Sequence, residues 1–294
     1  MFDVSGLLSL YCANFSKALR KLGGNDTLLF KVYSVFWFYC ATDSGKKSAF
    51  RFMLHLELNT LNFLLSGSVV LSLAFCYIIG LPRVVAIYPL DEQNKGRDVS
   101  GHRNPNGRLF GVRVGPGPDG WPNTATEFFG SKNSYIEFPN RGKLDTRISI
   151  TVLAWVLHLG QSGPIFNYNR GPRWGVHLWM TRPRQFFARF VKRDGRFTTP
   201  LVTHGGNVRF KAWNYLGATY DGNTGMATLW VNNRPVVRTN IGRLRLATNR
   251  PVRMGAKVGD RRYFRGRVSC VQVYSVALNR KQIIDASKRC FKSK

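Results

Sequence analysis

The clearest pattern in the chain runs from Trp213 to Val236. Trp213, Tyr215 and Gly217 alternate with Asn214, Leu216 and Ala218, until Asp221-Gly222-Asn223-Thr224-Gly225 breaks the alternation. It resumes with Ala227, Leu229 and Val231 against Thr228, Trp230 and Asn232, and Asn232-Asn233 breaks it again. Successive side chains of a strand point to opposite faces, and Asp-Gly and Asn-rich pairs reach the backbone angles that tight turns require, so the run predicts a β-hairpin. Large apolar groups on both faces place it inside a sheet. Further strand-like runs cover Tyr135 to Phe138, Ile148 to His158, Pro164 to Tyr168, Trp174 to Met180 and Gln185 to Val191. Alternation within Trp174 to Met180 puts Trp174, Val176 and Leu178 on one face and His177 and Trp179 on the other. Trp155 reads as core. Helix-period stripes are scarce, apart from a short terminal helix over Asn279 to Lys288. Turn residues recur about every 8–12 positions, the spacing of an all-β, antiparallel two-sheet sandwich.

The first third of the chain reads differently. Residues 1–60 show no legible fold and are expected to be a poorly structured leader; Leu28 to Cys40 is apolar and aromatic but too short to span a bilayer. Leu61 to Leu81 carries no charge over 21 residues, enough for an apolar N-terminal helix that crosses a membrane. Val84-Val85-Ala86 then offers small residues at the −3 and −1 positions of a signal-peptidase cut before Ile87. The expected segments are therefore 1–60, a signal peptide or signal-anchor helix over 61–86, and a β-sandwich over 87–294. A cleaved signal, starting from Met1 or from Met53, gives a secreted protein. An uncleaved anchor, with Lys17, Arg20, Lys21, Lys31, Lys46, Lys47 and Arg51 in the cytoplasm, gives a single-pass type II membrane protein. Both place the β domain outside the cell.

Several stretches, in order, resemble the laminin-G-like, concanavalin-A-like jelly rolls over about residues 86–290. Ala86-Ile87-Tyr88-Pro89-Leu90-Asp91-Glu92 with Asp98-Val99-Ser100-Gly101 is similar to that family's opening strand and loop. Phe128 to Pro139 is similar to its strand pair, Ser149 to Val156 to its next buried strand, the Trp213 to Val236 run to its central hairpin, and Phe264 to Leu278 to its closing strand and turn. The resemblance implies a jelly-roll sandwich and an extracellular binding role. It also implies that the Asp98 loop could help to hold a structural calcium, with Asp119 as a second carboxylate, although Ser269 and Cys270 stand where many relatives carry an acid. The alternative at Asp98 is a plain Asx turn.

Charge narrows the partners. The chain holds 44 Lys and Arg against 15 Asp and Glu, a net charge of +29, and 36 of those bases against 11 of those acids lie in 87–294. Arg dominates, and its planar fork grips sulfate, phosphate or carboxylate in pairs of hydrogen bonds where Lys is a point charge. Three clusters stand out: Arg182 to Arg196; Arg234, Arg238, Arg243, Arg245, Arg250 and Arg253; and Arg261, Arg262, Arg265 and Arg267. The last two are the expected polyanion surface, Arg243 and Arg245 pointing the same way by strand period. Trp121, in the loop Gly115 to Asn123, is a candidate sugar-stacking platform or a cover for a sheet edge.

Of five cysteines, Cys270 and Cys290 fall in the sandwich region, an even pair that suits one disulfide in an oxidising compartment and would clip the last helix to the closing strand. His102, His158 and His204 lack metal-ligand spacing. Polysaccharide cleavage needs two carboxylates across the bond, and only Glu92, Glu127 and Glu137 are available as glutamates. The expected function is thus a non-enzymatic extracellular module for acidic or sulfated glycans or acidic matrix proteins. A polysaccharide-cleaving enzyme and a purely structural matrix protein are the alternatives. Nucleic acid is not an expected partner, given the leader and the cysteine pair, and membrane contact is confined to 61–81 if uncleaved.

Overall fold

A computed structural model of the chain describes residues 32–41, 47–56, 84–182 and 184–291. The apolar 61–81 segment lies outside them, and among the described residues no helix is long and apolar enough to cross a membrane. The chain divides into two units, Met1–Ile79 and Gly80–Lys294. In the first, strands β1 (Val32–Ala41) and β2 (Lys47–Leu56) pair antiparallel, Val32 opposite Leu56 and Ala41 opposite Lys47. This hairpin falls in the stretch read as poorly structured. β-branched and aromatic residues favour strands, and in β2 Phe50, Phe52, Leu54 and Leu56 alternate with Arg51, Met53 and His55, a strand signal that the reading of this stretch passed over.

The second unit contains β3 (Val84–Tyr88), β4 (Arg108–Phe110), β5 (Val112–Gly115), β6 (Ala125–Phe129), β7 (Tyr135–Phe138), β8 (Ile150–His158), β9 (Gly163–Arg170) and β10 (Arg173–Arg182). It continues with β11 (Gln185–Arg189), β12 (Leu201–Val202), β13 (Trp213–Asp221), β14 (Met226–Val231), β15 (Arg234–Asn240), β16 (Val252–Met254), β17 (Arg265–Tyr274) and α1 (Arg280–Ala286). One sheet has the order β12-β11-β10-β9-β16-β7-β4; the other has β15-β14-β13-β8-β17-β6-β5, with β3 also on β17. This is the expected two-sheet antiparallel sandwich with one short terminal helix.

Alternation sets the core. Leu216, Ala218 and Tyr220 of β13, Val152, Ala154 and Val156 of β8 and Val268, Val271 and Val273 of β17 face Ile136 and Phe138, Phe166 and Tyr168, Val176 and Leu178, and Phe186 and Ala188 of the other sheet. The other face of the eight-stranded sheet is apolar too. Leu153, Tyr215, Trp230 and Tyr274 form a second buried cluster with Leu278, Ile283 and Ala286 of α1 and the turn before it. Trp155 is half-buried at this cluster, outside the central core, and its indole N–H donates to the Ser287 carbonyl at 3.2 Å. A capping box starts the helix: Asn279 Oδ1 accepts from Gln282 N, and Gln282 Oε1 accepts from Asn279 N. Its far end is held by the expected disulfide between Cys270 and Cys290, Cα atoms 5.6 Å apart.

β3 starts at Val84, three residues before the expected start of the domain. Val84 and Ala86 pair with Tyr274 and Val273, and Ala86 is fully buried. A cut before Ile87 would remove half of this strand. N-terminal sequencing of a processed form should therefore find Val84 retained; a chain beginning at Ile87 would contradict this. Reducing Cys270–Cys290 reopens a loop of 20 residues in the unfolded chain. The expected loss is about 3 kcal/mol, or a melting temperature lower by about 6–12 °C. An unchanged melt under reductant would show that the bond contributes nothing.

Candidate functional site

The basic residues predicted to form one surface separate into two kinds. Arg253 and Arg262 are spent on local carboxylates. Arg253 Nε lies 2.6 Å from Glu137 Oε2, with its guanidinium 4.3 Å from the Tyr135 ring centre. Arg262 grips Asp260 at 2.6 and 2.9 Å and lies 4.5 Å over Trp179. Arg234, Arg238, Arg243, Arg245, Arg250 and Arg261 are exposed, and among the described residues none has a carboxylate partner. Ion pairs form where a neighbouring strand or turn happens to carry an acid, as in the Arg253–Glu137 register pair, which one-dimensional clustering does not show.

β15 carries Arg234 and Arg238 along the open edge of the eight-stranded sheet. Its basic, Pro-containing sequence also protects that edge from pairing with other chains. The two-residue turn Asn232-Asn233, with φ of 50° and 65°, delivers Arg234 to the edge. Beyond β15 the chain is tied down by Tyr220, whose hydroxyl accepts from Leu244 N at 2.7 Å and donates to the Gly242 carbonyl at 3.0 Å. Leu244 packs on the core and Leu246 is buried, so Arg243 and Arg245, which alternate with them, turn outward together, as their spacing predicts. Beside the strand is an open depression of about 580 Å³, lined by Gly206, Asn207, Arg209, Val231, Asn232, Arg234 and Val236. Arg209 contributes a second guanidinium there that the sequence reading did not single out. It follows the loop Thr203 to Val208, distant from the other clusters in sequence.

The Trp121 side chain is exposed, the residue being 63% accessible, and its backbone N–H donates to Asp119 Oδ1 at 3.2 Å. The same Asp119 oxygen accepts from Thr124 Oγ1 at 2.5 Å. Asp98 is an organiser of the opening strand. Its carboxylate accepts from Ile87 N, Ser100 N and Asn104 N, and from the side chains of Ser100 and Asn104. A calcium at Asp98 would have to displace these donors, and no group of three or more metal-ligating side chains occurs among the described residues. Ser269 Oγ, where an acid was expected in a calcium-binding relative, donates to the Thr124 carbonyl at 2.6 Å.

A laminin G family model, described as the concanavalin A-like lectin/glucanases superfamily, matches residues 129–284. The chain belongs to this superfamily. No curated protein sequence matches it significantly. Among solved structures, the binding domain of Paraclostridial Mosquitocidal Protein 1 superposes with a TM-score of 0.55 at 17% identity, covering 68% of this chain and 50% of that one. The binding domain of Botulinum Neurotoxin DC in complex with SialylT gives 0.55 at 10% identity, covering 71% and 52%. The receptor binding domain of the botulinum neurotoxin C/D mosaic serotype gives 0.56 at 14%, covering 70% and 51%. The chain thus spans about half the length of each, and at these identities the likeness shows the fold of a concanavalin A-like sandwich.

Burial disfavours ionisation of Asp98, but the N–H groups of Ile87 and Ser100 and the side chains of Asn104 and Ser100 outweigh it and hold the carboxyl below its ordinary value. Its contribution to stability is therefore complete above the unfolded-state value of about 3.9 and fades as pH falls through the lower folded-state value. Asp98→Asn should melt below the wild type at pH 6, with the gap closing between about pH 4 and 2. A gap independent of pH would show that ionised Asp98 does not anchor this loop.

Proposed function

We propose that the β-sandwich is a non-enzymatic extracellular binding module that recognises acidic or sulfated glycans through the arginines at the β15 edge. One observation carries this reading: Arg209 and Arg234 line the same depression, Arg238, Arg243 and Arg245 continue from it, and no carboxylate among the described residues neutralises them. Such a strip holds polyanions by multiple charge-assisted hydrogen bonds. The names of the structural neighbours, all binding domains and one in complex with SialylT, support a carbohydrate-binding role. An acidic matrix protein is the second partner class that the same strip would accept.

The carboxylates support a binder over a glycosidase. Glu127 faces Arg113 and Arg267, Glu137 faces Arg253, and Glu92 accepts from Asn123 Nδ2 at 2.7 Å. Each acts as a partner to a donor, while hydrolysis needs two acids aimed across one bond. The Cys270–Cys290 bond supports an oxidising compartment, and so a secreted protein or the outer domain of a type II membrane protein.

The full chain should be retained on heparin-agarose at physiological salt. Replacing Arg234, Arg238, Arg243 and Arg245 together by Gln should move elution to much lower salt, each lost anion contact reducing the log–log salt slope by about one. Wild-type flow-through at physiological salt, or a quadruple variant that elutes with the wild type, would overturn the proposal.

A further inference from the structure

The solvent-side face of the seven-stranded sheet holds a second constellation. Residues that alternate with the core positions form a row across five strands: Glu137 on β7, Arg253 on β16, Asn167 on β9, His177 on β10 and Arg189 on β11, each paired with the next in register. Asn169 lies opposite Trp174, and Trp179 opposite Phe187. A register shift between Trp174 and His177 overturns the expected alternation of β10. Trp174 leaves the Val176 and Leu178 side, and its ring lies 4.7 Å from His177 and 5.3 Å from Trp179. Gly175 makes the shift possible, since a Cβ there would lie 2.7 Å from Tyr168 and 2.8 Å from the Ala247 carbonyl.

This face is aromatic, cationic and polar at once. His177 is stacked on Phe187 at 5.6 Å, and Arg189 lies between the rings of Phe187 and Phe197 at 5.3 and 5.0 Å. Burial, with the charges of Arg189, Arg262 and Lys257, outweighs the Gly175 hydrogen bond and pushes His177 down to about 4, so it is neutral at physiological pH. Lys257 Nζ lies 4.4 Å over Trp174 and donates to the carbonyls of Gly171, Pro172 and Val258, which fixes the cap beside the ring. Beneath lie polar atoms that are buried yet have no hydrogen-bond partner among the described residues: both amide atoms of Asn167, Asn169 Oδ1, Trp179 Nε1 and Arg189 Nε. Buried polar groups left without a partner destabilise a fold, so their concentration on one patch points to a ligand-facing surface.

We propose that this face is an acidic-saccharide subsite, in which a sugar ring lies on Trp174 and Phe187 and its carboxylate or sulfate is held by Arg189. It rests on the binding-module reading above but uses other residues. A pyranose offers an apolar C–H face to aromatic rings and hydroxyls at its rim, which match the stranded amide and indole groups. Arg189 is the anion anchor because Lys257 is committed to carbonyls and Arg262 to Asp260. The Arg262 side chain is 51% exposed over Trp179, so a sugar hydroxyl that reaches the indole N–H beneath it must displace Arg262 from its pair with Asp260.

The test is a fluorescence titration of the full chain with a heparin tetrasaccharide and with its desulfated, carboxyl-reduced counterpart. A saturable tryptophan quench with the acidic form alone is expected. Arg189→Gln should weaken it about tenfold. By isothermal titration calorimetry, Trp174→Ala should abolish binding and Trp174→Phe keep the affinity, with near-ultraviolet circular dichroism checking the fold and Trp121→Phe, which should keep the quench, excluding the exposed loop indole. Equal affinity in Arg189→Gln and wild type, equal binding of the neutral sugar, or no saturable quench would overturn the subsite. Retention on heparin-agarose without a quench leaves the β15 edge reading standing; a quench without retention leaves the subsite standing and removes the edge.

Discussion

α1 lies across the outer face of the eight-stranded sheet, over Leu153, Tyr215, Trp230 and Tyr274, and the cysteine beyond it is bonded to Cys270 on the strand beneath. That packing buries the second side of a sheet whose first side already forms the core. Nothing can bind on this part of the sheet, while at β5 and β6 its outer face stays open, with Arg113 and Phe129 exposed. The available surfaces are the β15 edge, the β5 and β6 end, the loops, and the outer face of the opposite sheet. The two proposed sites occupy the first and the last of these, and the helix has taken part of the remaining face.

Acid scarcity then decides which cations are left for a partner. Asp145 is shared by Arg193, Arg147 and Thr248, Glu127 by Arg113 and Arg267, and Asp194, Asp260 and Glu137 each hold one arginine. These pairs lie where two strands or the ends of one turn meet, and several of them are exposed and contribute little to stability. Their effect is to sort the arginines. Those beside an acid become part of the scaffold or lie on rings, and those along β15 and the following segment keep their full valence.

Much of this was legible in the chain. The Trp213 to Val236 alternation gave the β13–β14 pair because its Asp-Gly and Asn-Asn breaks are local turn chemistry. The helix was legible from its local pattern, and the cysteine pair from the even number of cysteines in the sandwich region. The shared direction of Arg243 and Arg245 was legible from their two-residue spacing, and both are exposed. What failed depended on partners that alternation does not reveal, most of them far away in sequence. Trp174 changes face through a bulge beside which only glycine fits, because Tyr168 and Ala247 leave no room for a Cβ at position 175. Arg253 and Arg262 counted as free cations until strand register and a turn set acids beside them. Asn167 and Asn169 alternate visibly with Phe166 and Tyr168, and the pattern alone would read them as solvated; only the rings and cations packed above them show that they are buried.

The two surfaces would read different properties of one ligand. An edge strip of guanidinium groups responds to charge density and length, is weakened by salt, and has no means of distinguishing one sulfated ring from another. A ring platform with stranded amide and indole groups responds to where hydroxyls project, because a sugar that fails to reach them leaves buried polar atoms unmade. Joined in one rigid sandwich, the strip would supply affinity and capture rate, and the face would supply selectivity. A chain with so large a basic excess and no selective contact would bind every polyanion it met. The aromatic face is the part of this molecule with the chemistry to refuse most of them.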